Sequence, residues 1–197
     1  MKLCFVRHGE TDWNATGRLQ GRENTHLNES GRIQALQAAE FFKTGDWTAI
    51  VSSPLQRAYD TAQIISETIQ YRGTISTLDS LMERDYGEAS GLLPEERHQR
   101  FPDGMIPGQE PFEKLKERGM WSIENIRSVF PDQQVIVVSH GGLINSVLYT
   151  LSLGKFGSFS TRLYNGSISC LEYRNHQWEV LFYNQRAFEL HAQNYDS

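Results

Sequence analysis

The sequence is poor in cysteine, in long apolar runs and in positive charge. Its two cysteines, Cys4 and Cys170, both lie in apolar stretches. That excludes a disulfide-rich secreted scaffold, and the pair reads as two reduced thiols in a core. No apolar run approaches the ~18 residues that a membrane-spanning helix needs, so no membrane partner is expected. The opening Met1-Lys2-Leu3-Cys4-Phe5-Val6 turns polar at Arg7 and lacks the small-residue cleavage site of a signal peptide. The expected location is cytoplasmic. Lys and Arg number 19 against 24 Asp and Glu, a formal net charge of −5, so a nucleic-acid partner would find no basic footprint. No repeat, low-complexity tract or linker divides the chain. With 39% hydrophobic residues in 197, one domain spanning 1–197 can bury a substantial core.

What is present is an alternation of short apolar runs with helical periodicity. Residues 3–6 form a continuous apolar run, as expected of a strand buried on both faces. A polar loop follows, and Asn28 is placed to cap a helix over about 29–43, where Ala35, Ala38, Ala39 and Phe42 share one face. A second strand is expected at 49–51. A helix then begins at Ser53-Pro54, with serine as cap and proline in the first turn, and runs to about Tyr71. A third strand falls near 75–78. Four prolines and four glycines between 80 and 112 predict loops with one short helix. A helix over 112–130, a strand at 135–138 and a helix over 142–151 follow. Strands at 168–173 and 178–183 close the pattern, with Arg174-Asn175-His176 as their turn. This predicts an α/β domain, a mostly parallel central sheet with helices on both faces.

His8 and His140, far apart in sequence, each end an apolar strand and are each followed by glycine. Ligands of parallel sheets bind outside the carboxyl ends of the strands, so both imidazoles are expected at one crevice. Glycine after each permits a tight turn and close approach of a ligand to the backbone. The alternative is two unrelated loop histidines. Arg57, in the first turn of its helix, stands where the helix dipole disfavours a cation. With Arg7 beside His8, a bound phosphate or other oxyanion accounts for it, and a solvated arginine is the alternative. Glu83 lies just after the third strand, where a nearby anion and burial would raise its pKa and suit it to donate a proton. By position alone it is indistinguishable from Asp85 and Glu88.

Arg7-His8-Gly9-Glu10-Thr11 with Trp13-Asn14 and Gln20-Gly21 resembles the signature of the histidine phosphatase superfamily, the phosphoglycerate mutase-like fold. So do Ser52-Ser53-Pro54-Leu55-Gln56-Arg57-Ala58 with Thr61-Ala62, Glu83 with Tyr86-Gly87 and Gly91, and Ser139-His140-Gly141-Gly142. The blocks stand in the family's order and span about 2–150. The resemblance, to the small cofactor-independent phosphatases of that superfamily, implies that His8 becomes phosphohistidine and that Glu83 is the general acid. It implies that Arg7, Arg57 and His140 hold the phosphoryl oxygens, and that Asn14, Gln20, Gly21, the Gly141 N–H, Arg84 and Tyr86 add substrate contacts. No cofactor and no metal is implied. The implied partner is a small phosphorylated metabolite, with a homodimer as the candidate assembly.

Three alternatives share these residues. His8, His140 and Glu83 could form a metal site, which two adjacent arginines would disfavour. A non-catalytic phosphate-ester binding module would keep the arginines but need no nucleophile. A 2,3-bisphosphoglycerate-dependent phosphoglycerate mutase would need further basic residues. Here Leu92-Leu93-Pro94 follows Gly91, where the mutases resembled supply a lysine, and no Arg-Arg pair follows, although Arg84 could hold a substrate carboxylate. The stretch 104–113 is the expected specificity lid, and Trp13 either lines the pocket mouth or packs its loop. His26, His98, His176 and His191 read as surface residues, and 95–100 as a solvated helix face.

Overall fold

A strand covered by helices on both faces has no solvent side, so its sequence need not alternate. The computed structural model describes residues 1–158, 161–187 and 189. In chain order its first elements are β1 (Lys2–Arg7), α1 (Asp12–Ala15), α2 (Glu29–Phe42), β2 (Ala49–Ser52), α3 (Gln56–Thr68) and β3 (Ser76–Thr77). There follow α4 (Pro94–Arg100), α5 (Phe112–Val129), β4 (Gln134–Ser139), α6 (Gly141–Leu151), β5 (Ile168–Arg174) and β6 (Gln177–Gln185). The strands form one sheet in the order β3-β2-β4-β1-β5-β6. The first four are parallel, and β5 and β6 are antiparallel to their neighbours.

Burial follows the two-residue period of the strands. Leu3, Phe5, Val135 and Val137 pack with Leu115, Ile123, Leu143 and Val147 of α5 and α6. Cys4, Val6, Ile136 and Val138 face the other way, onto Ala38, Ala39 and Phe42 of α2 and Ala58, Ala62 and Ile65 of α3. Both faces are therefore dry, which is why the runs at 3–6 and 135–138 are uninterrupted.

Several details differ from the sequence expectations. Cys4 and Cys170 are not free thiols. Antiparallel pairing of β1 with β5 sets them directly opposite, with Cα atoms 4.1 Å apart, and they are joined as a disulfide. No local pattern in the sequence reveals that β5 lies beside β1. α3 begins at Gln56 with Leu55 as its cap residue, so Ser53 is not its cap. β3 is only two residues long and exposed, at the sheet edge. The polar loop after His8 contains a short helix, α1, closed by reciprocal hydrogen bonds between Thr11 and Asn14. Between β5 and β6, Asn175 and His176 both have positive φ, as a two-residue hairpin turn requires. His26, His98 and His176 are exposed, as are most residues of α4, and His191 lies outside the described residues. No helix among the described residues is long and apolar enough to cross a membrane.

Candidate active site

Parallel pairing sets the carboxyl ends of β1, β4 and β2 side by side. Arg7 is in register with Ser139, and Ser52 with Val138. His8 N–H then donates to the Ser139 carbonyl (3.0 Å) and Ser53 N–H to that of Val138 (2.9 Å). His8 and His140 are thereby brought to one crevice, with ring centroids 5.1 Å apart. The crevice opens into a pocket of about 260 Å³ lined by Arg7, His8, Asn14, Gln20, Gly21, Arg57, Glu83, Tyr86 and Gly141.

The ring of His8 is fixed at both nitrogens. Nδ1–H donates to the Gly9 carbonyl (2.7 Å), which leaves Nε2 as the unprotonated nitrogen, and Arg57 Nε–H points at it from 3.2 Å. Burial, then the charges of Arg57 and Arg7, hold the His8 pKa well below its ordinary value, against a smaller upward pull from the Gly9 carbonyl. Nε2 therefore carries an unprotonated lone pair at neutral pH. Arg57, fully buried, is anchored by the Gly21 (2.8 Å) and Glu23 (2.7 Å) carbonyls. Burial brings its pKa down to about 10, so it remains a cation.

His140 is also completely buried, and burial, then Arg57, keeps its pKa well below the ordinary value. Its Nε2 lies 2.7 Å from Ser53 Oγ, which already accepts the Leu55 N–H (3.3 Å). The buried hydroxyl must donate its own proton somewhere, and His140 Nε2 is the acceptor at hand. That leaves the proton on His140 Nδ1, an atom with no partner. Arg7 Nε is likewise buried and unpartnered, while the other end of its guanidinium donates to the Leu163 carbonyl. Arg7 lines the pocket, while His140 lies buried behind its wall beside His8, and the two unsatisfied groups, one of them cationic, carry a desolvation cost that an anion drawn in against His8 would relieve.

Glu83 is the carboxylate of this pocket. Its oxygens accept N–H groups from Arg84 (2.8 Å), Gly142 (3.1 Å) and Leu143 (3.2 Å), the last two from the first turn of α6. Asp85 instead caps Gly87 N–H and pairs with Arg22, and Glu88 pairs with Arg100 at the surface. Gly142 is glycine because a Cβ there would overlap Glu83 Oε1. Gly9, by contrast, is required by the backbone of Gly31 in α2, so packing rather than ligand approach explains it.

The side-chain oxygens of Asn14 and Gln20 are occupied, by Thr11 N–H (3.2 Å) and by the Thr11 and Thr25 hydroxyls (3.0 and 2.5 Å) respectively. Their NH₂ groups are what remains for the pocket. Burial, aided by Glu83, raises the Tyr86 pKa and keeps its hydroxyl a neutral donor. Arg84 does not line the pocket, and its Nε donates to the Glu110 carbonyl (2.8 Å). Nor does 104–113, the expected lid; the outer wall comes instead from 17–21, Tyr86 and 161–163. Trp13 packs its loop, under the Arg18 guanidinium and against Gly91. Among the described residues, no three His, Cys, Asp or Glu side chains are grouped to hold a metal.

Sequence reasoning missed three supporting residues. Ser53 orients His140, although its position before proline made it resemble a helix cap. Asn165 donates to the His8 carbonyl (3.0 Å) and to Asn14 Oδ1 (3.3 Å). Arg118 on α5 donates to the carbonyls of Ser80 (2.8 Å), Met82 (2.7 Å) and Glu83 (3.3 Å), and forks onto the Glu110 carboxylate at 2.9 and 2.8 Å. Burial works against the Glu110 carboxylate, but Arg118 outweighs it and holds the pKa below the ordinary value. Neither Asn165 nor Arg118 carries a local motif that would have singled it out.

The family model of the histidine phosphatase superfamily (branch 1) matches residues 3–186. The chain is 40% identical over 182 residues to PhoE of Bacillus subtilis, named as an uncharacterised phosphatase, covering 92% of this chain and 93% of that one. It is 35% identical to a metal-independent phosphoserine phosphatase of Arabidopsis thaliana, over 91% of this chain and 79% of the relative. The solved mycobacterial glucosyl-3-phosphoglycerate phosphatase, in complex with VO3, superposes with a TM-score of 0.83 at 29% identity, covering 93% of this chain and 98% of that one.

Proposed function

The chain belongs to the histidine phosphatase superfamily and is an enzyme of the phosphoric monoester hydrolase class; on that premise we propose that it hydrolyses small phosphate monoesters through a phosphohistidine on His8. The observation that carries the reading is the pair of orphaned donors, Arg7 Nε and His140 Nδ1, in the crevice of an unprotonated His8 Nε2. Arg7 and Arg57 neutralise the phosphoryl oxygens, a task that otherwise falls to metal ions, and neutral His140 adds a hydrogen bond, while His8 Nε2 attacks phosphorus. The bond from phosphorus to the ester oxygen breaks, and that oxygen takes a proton from Glu83. Water then attacks the phosphohistidine, gives a proton to Glu83, and the P–N bond breaks to release phosphate and restore His8.

Hydrolysis is favoured over transfer to a second substrate by the pocket wall. A mutase must keep water from its phosphohistidine, and no residue of 104–113 lines this pocket. Rapid-quench labelling with a phosphate monoester tests the proposal. An acid-labile, base-stable adduct on His8, followed by stoichiometric free phosphate, is the expected result. Rapid isomerisation of 3-phosphoglycerate dependent on 2,3-bisphosphoglycerate, with negligible free phosphate, would assign a mutase instead.

A further inference from the structure

The phosphate-binding cations do not exhaust the positive charge of the pocket. A bound phosphate monoester carries close to two negative charges. Arg7 and Arg57 match them. Two further arginines, Arg18 and Arg162, line the same pocket. Arg18 is engaged, donating to the Gly91 carbonyl with its guanidinium 5.7 Å from the Trp13 ring centre. Arg162 is exposed, and its guanidinium has no hydrogen bond or ion pair among the described residues. Its charge nevertheless reaches the site, since it helps to lower the pKa of Arg7.

An exposed arginine on a loose loop would mean little. This one is held by a built segment. Three successive carbonyls accept side-chain donors from three different parts of the fold. Asn145 of α6 donates to Thr161 O (2.7 Å), Asn184 of β6 to Arg162 O (3.1 Å), and Arg7 of β1 to Leu163 O. Asn184 Oδ1 also accepts the Tyr164 N–H (2.7 Å). The backbone that carries Arg162 is thus tied to the phosphate-binding Arg7 itself and to the helix whose first turn holds Glu83.

We propose that Arg162 is a specificity determinant that receives a second anionic group, a carboxylate, on the alcohol portion of the substrate. This deepens the hydrolase reading and rests on it. A guanidinium fork matches a planar carboxylate with two parallel hydrogen bonds. The small pocket, about 260 Å³, suits a phosphate on a short carboxylate-bearing alcohol rather than a large leaving group, so the favoured class is phosphorylated hydroxy acids and amino acids.

The test compares 3-phosphoglycerate with glycerol 3-phosphate, which replaces the carboxylate by a neutral hydroxymethyl group. The wild type is expected to favour 3-phosphoglycerate in kcat/KM, mainly through KM. Arg162→Gln should lose about 10- to 100-fold on 3-phosphoglycerate, as removal of a charged hydrogen bond does, and at least tenfold less on glycerol 3-phosphate. Arg162→Lys should recover part of the loss. Turnover of glycerol 3-phosphate by the variant doubles as proof that it is folded. If Arg162→Gln lowers both esters by the same factor, or the wild type prefers the neutral ester, the carboxylate assignment is overturned. A wild type that releases phosphate from nitrophenyl phosphate but from neither ester overturns the carboxylate assignment alone, and one that releases it from none of the three fails the hydrolase reading as well.

Discussion

Arg57 Nε lies 3.2 Å from His8 Nε2, the nitrogen that the Gly9 carbonyl leaves without a proton. A cation donating to a neutral imidazole makes that imidazole hard to protonate. On the proposed mechanism it also puts the guanidinium where the phosphoryl group would arrive, so the same contact would set both the charge state of His8 and the place of its substrate.

Arg57→Gln should therefore shift a pH profile as well as lower a rate. Without the cation His8 is easier to protonate, so the acid limb of kcat/KM should move to higher pH. Loss of the fork at the phosphate should lower kcat/KM by about 10²–10³, the scale seen when an oxyanion donor is removed. An acid limb that stays where it is in the wild type would mean that Arg57 does not control His8.

Stability should fall as the medium turns acidic. His8 and His140 are held neutral in the fold, with pKa values depressed below the unfolded value of about 6.5. Below that pH the unfolded chain takes up protons that the folded chain refuses. Each imidazole then costs up to about 1.4 kcal/mol per pH unit until its folded pKa is reached. Urea unfolding at pH 7.5, 6.5 and 5.5 checks this. A midpoint unchanged across the series would show that the imidazoles take up protons in the fold as readily as in the unfolded chain.

Glu83→Gln should discriminate between leaving groups. A poor leaving group such as an aliphatic alkoxide needs the proton, whereas nitrophenolate leaves without it. The loss on alkyl phosphates should exceed that on nitrophenyl phosphate by roughly 10²–10⁴. Equal losses on both would remove the acid role from Glu83 and make Asp85 the next residue to replace.

Arg118→Ala should reproduce that leaving-group pattern in weaker form. Arg118 does not line the pocket but ties the backbone of Ser80, Met82 and Glu83 to α5. Removing it also strands the Glu110 carboxylate, at a cost of about 3 kcal/mol in stability. Gly142→Ala separates the two effects, because its new methyl would displace Glu83 directly while leaving the Arg118 network in place. A uniform rate loss on both substrates in both variants would show general damage to the fold.

Much of the fold and the centre of the candidate site could be read from residue order. The runs at 3–6 and 135–138 lack polar alternation because helices cover both faces of the sheet, and that physical fact is local enough to leave its mark on the sequence. Histidines at the ends of such strands belong at the carboxyl edge wherever the strands lie. What the sequence left open was settled by contacts between segments that are distant along the chain and irregular in structure. It could not show that β5 would lie beside β1 and close Cys4 onto Cys170, or that Ser53 would turn from a helix cap into the partner of His140. Glu83, Asp85 and Glu88 are equivalent until the first turn of α6 offers its N–H groups to one of them. The outer wall is the sharpest case. The glycine- and proline-rich stretch 104–113 has the composition of a lid, yet the wall is built by 161–163, drawn in by donors from α6, β6 and β1. Loops carry no periodicity, so their placement is decided by which side chains can satisfy their carbonyls, and that is known only when the chain has folded.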